Sequence, residues 1–80
     1  MNLQRNVFQK GKSYRVKRNF ISGPSSFVAG EIIIYDAGGY SPYDNCFIDE
    51  FLNSKDDERK MWLNAPDDPD LWQEYLELVN

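Results

Sequence analysis

The stretch SYRVKRNFIS, residues 13–22, sets Tyr14, Val16 and Phe20 on one side of an extended chain and Arg15, Lys17 and Asn19 on the other. A repeat of two marks a strand with one buried face, because successive side chains of an extended backbone point in opposite directions. Only Arg18 interrupts the pattern, standing on the apolar side. The chain then returns to short apolar runs separated by turn residues, which restricts it to a small, mainly β domain.

SGPSS, residues 22–26, is a run of turn formers, and FVAGEIIIYDAGG follows with Ile32, Ile33, Ile34 and Tyr35 before Gly38 and Gly39. This predicts a second strand over Glu31 to Asp36. NCFIDEFLN, residues 45–53, places Phe47, Asp49 and Phe51 on one face and Cys46, Ile48, Glu50 and Leu52 on the other. Apolar residues on both faces suit a strand in mid-sheet or at a curved corner. NSKDDE reads as a charged hairpin connection, and RKMWLNA, with Met61 and Leu63 opposite Trp62, as a fourth strand. Val16, Ile33, Phe47, Phe51 and Trp62 are the expected core.

The tail APDDPDLWQEYLELVN changes period. Asp67 or Asp68 can cap a helix, Pro69 fits its first position, and Asp70 suits the positive end of its dipole. Leu71, Tyr75, Leu78 and Val79 form a helical stripe that Trp72 and Leu76 widen, leaving Gln73, Glu74 and Glu77 to solvent. The expectation is a helix over 68–79, docked on the sheet because so short a helix is marginal alone. The organisation is one domain over 1–80: a lead-in over 1–12 that tucks Leu3, Val7 and Phe8 against the sheet, a small half-open antiparallel barrel over 13–65, and the helix.

Eighty residues bury only about 60% of the surface of the unfolded chain, which leaves little room for an internal pocket. There is no histidine, so the commonest general base and metal ligand are missing. Cys46 is the one cysteine; flanked by apolar strand residues and near Asp44 and Asp49, it is expected to be a buried, inert thiol. DDE at 56–58 and DDPD at 67–70 lack the spacing of a calcium loop. No glycine-rich phosphate loop is present. The reading is therefore a non-enzymatic domain with no catalytic residues, no cofactor and no metal. No apolar run approaches the roughly 18–20 residues of a membrane span, and MNLQRNVFQK has no signal-peptide core. A cytoplasmic location with no membrane partner is expected.

The net charge of −4 hides an asymmetry: Arg5, Lys10, Lys12, Arg15, Lys17 and Arg18 all precede the first acid, Glu31, and all 13 acids follow. Folding either neutralises the two signs across strands, which is favoured, or leaves a basic face and an acidic face. Two functions follow. The leading one is an intracellular protein-interaction domain, of the inhibitor or immunity kind, that masks a basic surface on a partner. Its candidate contacts are Tyr40, Tyr43 and Asp44 in the connection AGGYSPYDNCF and Asp70, Glu74 and Glu77 on the helix. Tyrosines offer stiff, amphipathic contact area, although the same pair could merely cover the open end of the barrel while Asp44 caps the turn, and that reading is favoured. The alternative is a nucleic-acid module using Arg15, Lys17 and Arg18 around Tyr14. A sequence pI near 4.6 argues against it.

GKSYRV, then GE at 30–31, then YSPYD at 40–44 resemble a group of small bacterial domains of unknown function with SH3-like barrels, whose pattern runs Gly-x-x-Tyr-x-Val, Gly-Glu, and an aromatic followed by Pro-Tyr-Asp. The resemblance covers residues 11–63, and the chain departs from it at Ile32, where the pattern has an aromatic. It implies an SH3-like fold and no particular activity.

Overall fold

The computed structural model describes residues 8–64 and 70–79. Among these residues seven strands follow one another: β1 (Ser13–Val16), β2 (Phe20–Ser22), β3 (Ser25–Phe27), β4 (Ile32–Ser41), β5 (Cys46–Asn53), β6 (Glu58–Asn64) and β7 (Leu76–Leu78), with a 3₁₀ turn at Leu71–Glu74. Five form an antiparallel sheet in the order β6-β5-β4-β1-β7, and β2 and β3 make a separate hairpin. The domain is mainly β, as the alternation predicts. The five-stranded sheet does not close on itself through backbone pairing.

The first predicted strand is two strands. The chain turns at Lys17–Asn19, where Gly30 N–H donates to the Val16 carbonyl at 2.8 Å and Ala29 N–H donates to Asn19 Oδ1 at 2.7 Å. Continued alternation would have driven the Arg18 guanidinium into the core at a large desolvation cost. Breaking the strand leaves Arg18 exposed and returns Phe20 to stack on Phe27, with ring centroids 4.4 Å apart.

The hairpin lies against β6, an edge strand of the sheet. Ser22 Oγ accepts from Trp62 N–H at 2.8 Å and Ser25 Oγ from Lys60 N–H at 2.9 Å. Two serine hydroxyls thus occupy backbone donors that an edge strand would otherwise present to any passing chain.

β4 runs through Gly38 and Gly39 to Ser41, well past the predicted end at Asp36. Its register against β5 shifts between Tyr35 and Ala37: Tyr35 pairs with Phe51 and Ala37 with Glu50. The bulge switches the inward face, so that Gly38 comes opposite Asp49 and Tyr40 opposite Phe47. A Cβ at Gly38 would collide with the Tyr35 hydroxyl and the Asp49 carboxylate, so glycine is what lets this strand continue.

The predicted C-terminal helix is not formed. After the single 3₁₀ turn the chain extends, and β7 pairs antiparallel with β1, Leu76 opposite Val16 and Leu78 opposite Tyr14. Lys17 N–H donates to the Tyr75 carbonyl at 2.7 Å and Val79 N–H to the Ser13 carbonyl at 3.0 Å. Without this segment, one side of β1 would have lacked a partner. A short helix offers little of its own, whereas an added strand satisfies backbone groups on both chains. Asp67, Asp68 and Pro69, which carried the helix-start signal, lie outside the described residues, as do Leu3 and Val7.

The core contains Phe8, Tyr14, Val16, Phe27, Ile33, Phe47, Phe51, Met61, Leu63 and Leu76. Phe8 from the lead-in meets Tyr14, Phe51 and Trp72 with centroids 5.0–5.2 Å away. Val16, Ile33, Phe47 and Phe51 are buried as predicted, but Trp62 is 39% exposed. β6 turns Met61 and Leu63 inward, and period two then places Trp62 outside, where the Gly23 turn covers part of its ring.

Candidate functional site

The turn between β4 and β5 is held by its own side chains. The Tyr40 hydroxyl donates to Asn45 Oδ1 at 2.6 Å and Ser41 Oγ donates to Asp44 Oδ2 at 3.2 Å. Asn45 takes a left-handed backbone, φ 50°, which asparagine tolerates better than most residues and which brings the chain back into β5. The two tyrosines part company here. Tyr40 is half-buried with its ring 5.2 Å from that of Phe47, so it covers the end of the sheet. Tyr43 is 98% exposed and covers nothing. Asp44 is exposed, its carboxylate accepting from Ser41.

The basic candidates meet the C-terminal segment, in line with the favoured neutralisation of charge across strands. Arg15 on β1 and Glu77 on β7 are ladder partners, with Nη1 2.8 Å from Oε1. Arg18 Nη2 lies 3.8 Å from Glu74 Oε2, and its Cζ sits 4.7 Å from the centre of the Tyr75 ring. Lys17 Nζ donates to the Gln73 carbonyl at 2.9 Å. The bases assigned to nucleic acid and two of the acids assigned to a basic partner are thus each other's neighbours. Asp70, exposed, precedes the 3₁₀ turn and accepts Gln73 N–H on its carbonyl at 3.0 Å.

Tyr35, Cys46 and the Glu31–Arg59 pair sit within the fold rather than at the turn. Tyr35 donates to Asp49 Oδ1 at 3.1 Å; burial, followed by the Asp49 charge, pushes its phenol well above the ordinary range. Burial, with Asp44 second, also raises the Cys46 thiol, which keeps it protonated and unreactive. Glu31 Oε2 lies 3.6 Å from Arg59 Nη2 and accepts from Asn53 Nδ2 at 3.4 Å, tying the start of β4 to the ends of β5 and β6. Among the described residues, no group of three or more His, Cys, Asp or Glu side chains could hold a metal ion, and no helix is long and apolar enough to cross a membrane.

Sequence reasoning missed the outer side of the hairpin. Ile21, 77% exposed, and Val28 border a shallow cleft of about 470 Å³ with Asn19, Phe20, Ser26 and Phe27. The available signal was SGPSS with Phe20 and Phe27 on either side of it, which reads as a hairpin once strands of three residues are allowed. No family model, curated protein or solved structure matches the chain.

Proposed function

We propose that this chain is a non-enzymatic, cytoplasmic protein-interaction domain with an SH3-like, half-open barrel architecture, and that it docks on a basic partner surface through the β4–β5 turn. The observation that carries the reading is Tyr43: an almost fully exposed aromatic at the tip of a turn braced by two side-chain hydrogen bonds. A large ring held out on a stiff turn gives up little conformational freedom on binding, which is why tyrosines serve as interface anchors. Asp44 beside it supplies negative charge for a basic partner.

Three features support the SH3-like architecture: the strand order β6-β5-β4-β1-β7, the hairpin inserted between β1 and β4, and the 3₁₀ turn leading into the last strand. A reduced, buried Cys46 suits the cytoplasm. The nucleic-acid alternative would require Arg15, Lys17 and Arg18 to abandon their contacts with the C-terminal segment before meeting phosphates.

The test is capture of a partner from native host lysate, with Tyr43→Ala compared against Arg15→Ala/Lys17→Ala/Arg18→Ala. Tyr43→Ala is expected to fold normally and lose most of the captured protein, while the triple variant retains it. Capture unaffected by Tyr43→Ala would sink the proposal, and retardation of single-stranded RNA that the triple variant abolishes would replace it with the nucleic-acid reading.

A further inference from the structure

Gly38 and Gly39 are adjacent in β4, and only Gly38 is glycine for a reason inside the protein. At Gly39 an added Cβ would meet nothing within 4 Å, and Gly39 is not among the positive-φ glycines, which are Gly11, Gly23 and Gly30. Mid-strand glycine weakens a sheet and is commonly found at a bulge, at a tight bend or where a ligand or another backbone approaches closely; Gly39 lies past the Tyr35–Ala37 bulge, in register with Ile48.

The space in front of Gly39 is an open cleft of about 350 Å³, lined by Ala37, Gly39, Tyr40, Ile48, Glu50 and Lys60 among others. Its lining follows from the register: Gly39 pairs with Ile48, and Glu50 lies between Ala37 and Lys60. The charges do not balance. Lys60 Nζ lies 3.3 Å from Glu58 Oε1 and 3.8 Å from Glu50 Oε1, so one ammonium is shared by two carboxylates and sits nearer the one outside the cleft. Glu50, Glu58 and Lys60 together carry a net charge of −1, and Glu50 shares its cation while lying beside Gly39 and the Ile48 side chain.

We propose that this cleft receives an arginine or lysine side chain of the partner. The aliphatic stem lies across Gly39 against Ile48 and the cationic head meets Glu50, the division that long basic side chains favour. The proposal rests on the reading of a basic protein partner and specifies the chemistry it presents beside the Tyr43 turn.

The probe is the peptide acetyl-Gly-Arg-Gly-amide, titrated into the ¹⁵N-labelled protein at low salt, with a citrulline peptide of the same shape and no charge as control. Shifts are expected at Gly39, Ile48 and Glu50 with the arginine peptide alone, and Glu50→Gln should weaken them about three- to fivefold. Gly39→Thr should abolish them while raising Tm by about 2–8 °C, because a strand-favouring residue fills a cleft that the fold itself does not use. Equal response to citrulline, undiminished binding by Gly39→Thr, or a lower Tm for that variant would each overturn the proposal. The arms separate it from the docking reading: if the peptide fails while Tyr43→Ala still reduces partner capture, the cleft is wrong and the docking turn stands. If the peptide binds as described while capture ignores Tyr43, the turn is wrong and the cleft stands.

Discussion

Arg15 on β1 stands directly opposite Glu77 on β7, and their side chains meet at 2.8 Å on the solvent side of the ladder. The basic first third of the chain and its acidic end are thereby joined at the sheet edge. The charge asymmetry of the sequence is partly spent on the register of the last strand. Because both side chains are about half exposed, an Arg15→Ala/Glu77→Ala double-mutant cycle should give a coupling of only about 0.2–1 kcal/mol. Urea unfolding at low and high salt measures it, and the coupling should shrink as salt rises. A coupling that salt leaves unchanged would contradict a surface ion pair.

Phe51 has no exposed surface and sits among the rings of Phe8, Tyr14 and Tyr35, with centroids 5.0–6.0 Å away. Phe51→Ala should cost about 3–5 kcal/mol by chemical denaturation. That is a large share of the stability of a small domain. A loss below about 1 kcal/mol would mean the ring is not the centre of this cluster.

Ser22 and Ser25 join the hairpin to β6 through one hydrogen bond each, at 2.8 and 2.9 Å. Ser22→Ala with Ser25→Ala should destabilise the domain by about 1–3 kcal/mol. Hydrogen exchange should accelerate first at the Lys60 and Trp62 amides, before the amides between β4 and β5. Uniform acceleration across the sheet would show instead that the hairpin cannot loosen separately.

Tyr35 makes alkaline stability readable. Its folded-state phenol is raised by burial and then by Asp49, so the native state holds this proton more tightly than the unfolded chain. The contribution is complete below the ordinary phenol value near 10 and is lost as pH rises beyond it. Urea midpoints from about pH 8 to about pH 11 should fall for the wild type and fall less for Tyr35→Phe. Parallel curves for the two proteins would remove Tyr35 as the cause.

Period two, a local property of extended backbone, puts Phe47 and Phe51 on one face, and they form the inner one; the same rule only separates Met61 and Leu63 from Trp62, and the structure buries the first two where the sequence points to Trp62. Tyr40 and Tyr43 look alike in sequence. Their difference, one packed on Phe47 and one exposed, arises from the bulge at Tyr35–Ala37, which changes the face that Tyr40 presents. Nothing local to YSPYD encodes that shift. Gly38 and Gly39 are likewise equivalent until Asp49 and Tyr35 are placed behind one of them.

By itself the sequence determined a mainly β chain, the inward faces of its central strands, the inert character of Cys46 and the charge imbalance, all of which depend on neighbours a few residues away. Only the tertiary structure decided that Leu76–Leu78 is a strand, that Arg18 ends β1, that Trp62 faces outward and that the basic and acidic segments pair. The tail carries helical spacing and helix-start signals, yet a short helix gains little alone, while the open side of β1 offers backbone partners and a buried place for Leu76. Those partners lie about 60 residues away in the chain, as the 62-residue separation of Arg15 and Glu77 records, and no local pattern can encode a preference set at that distance.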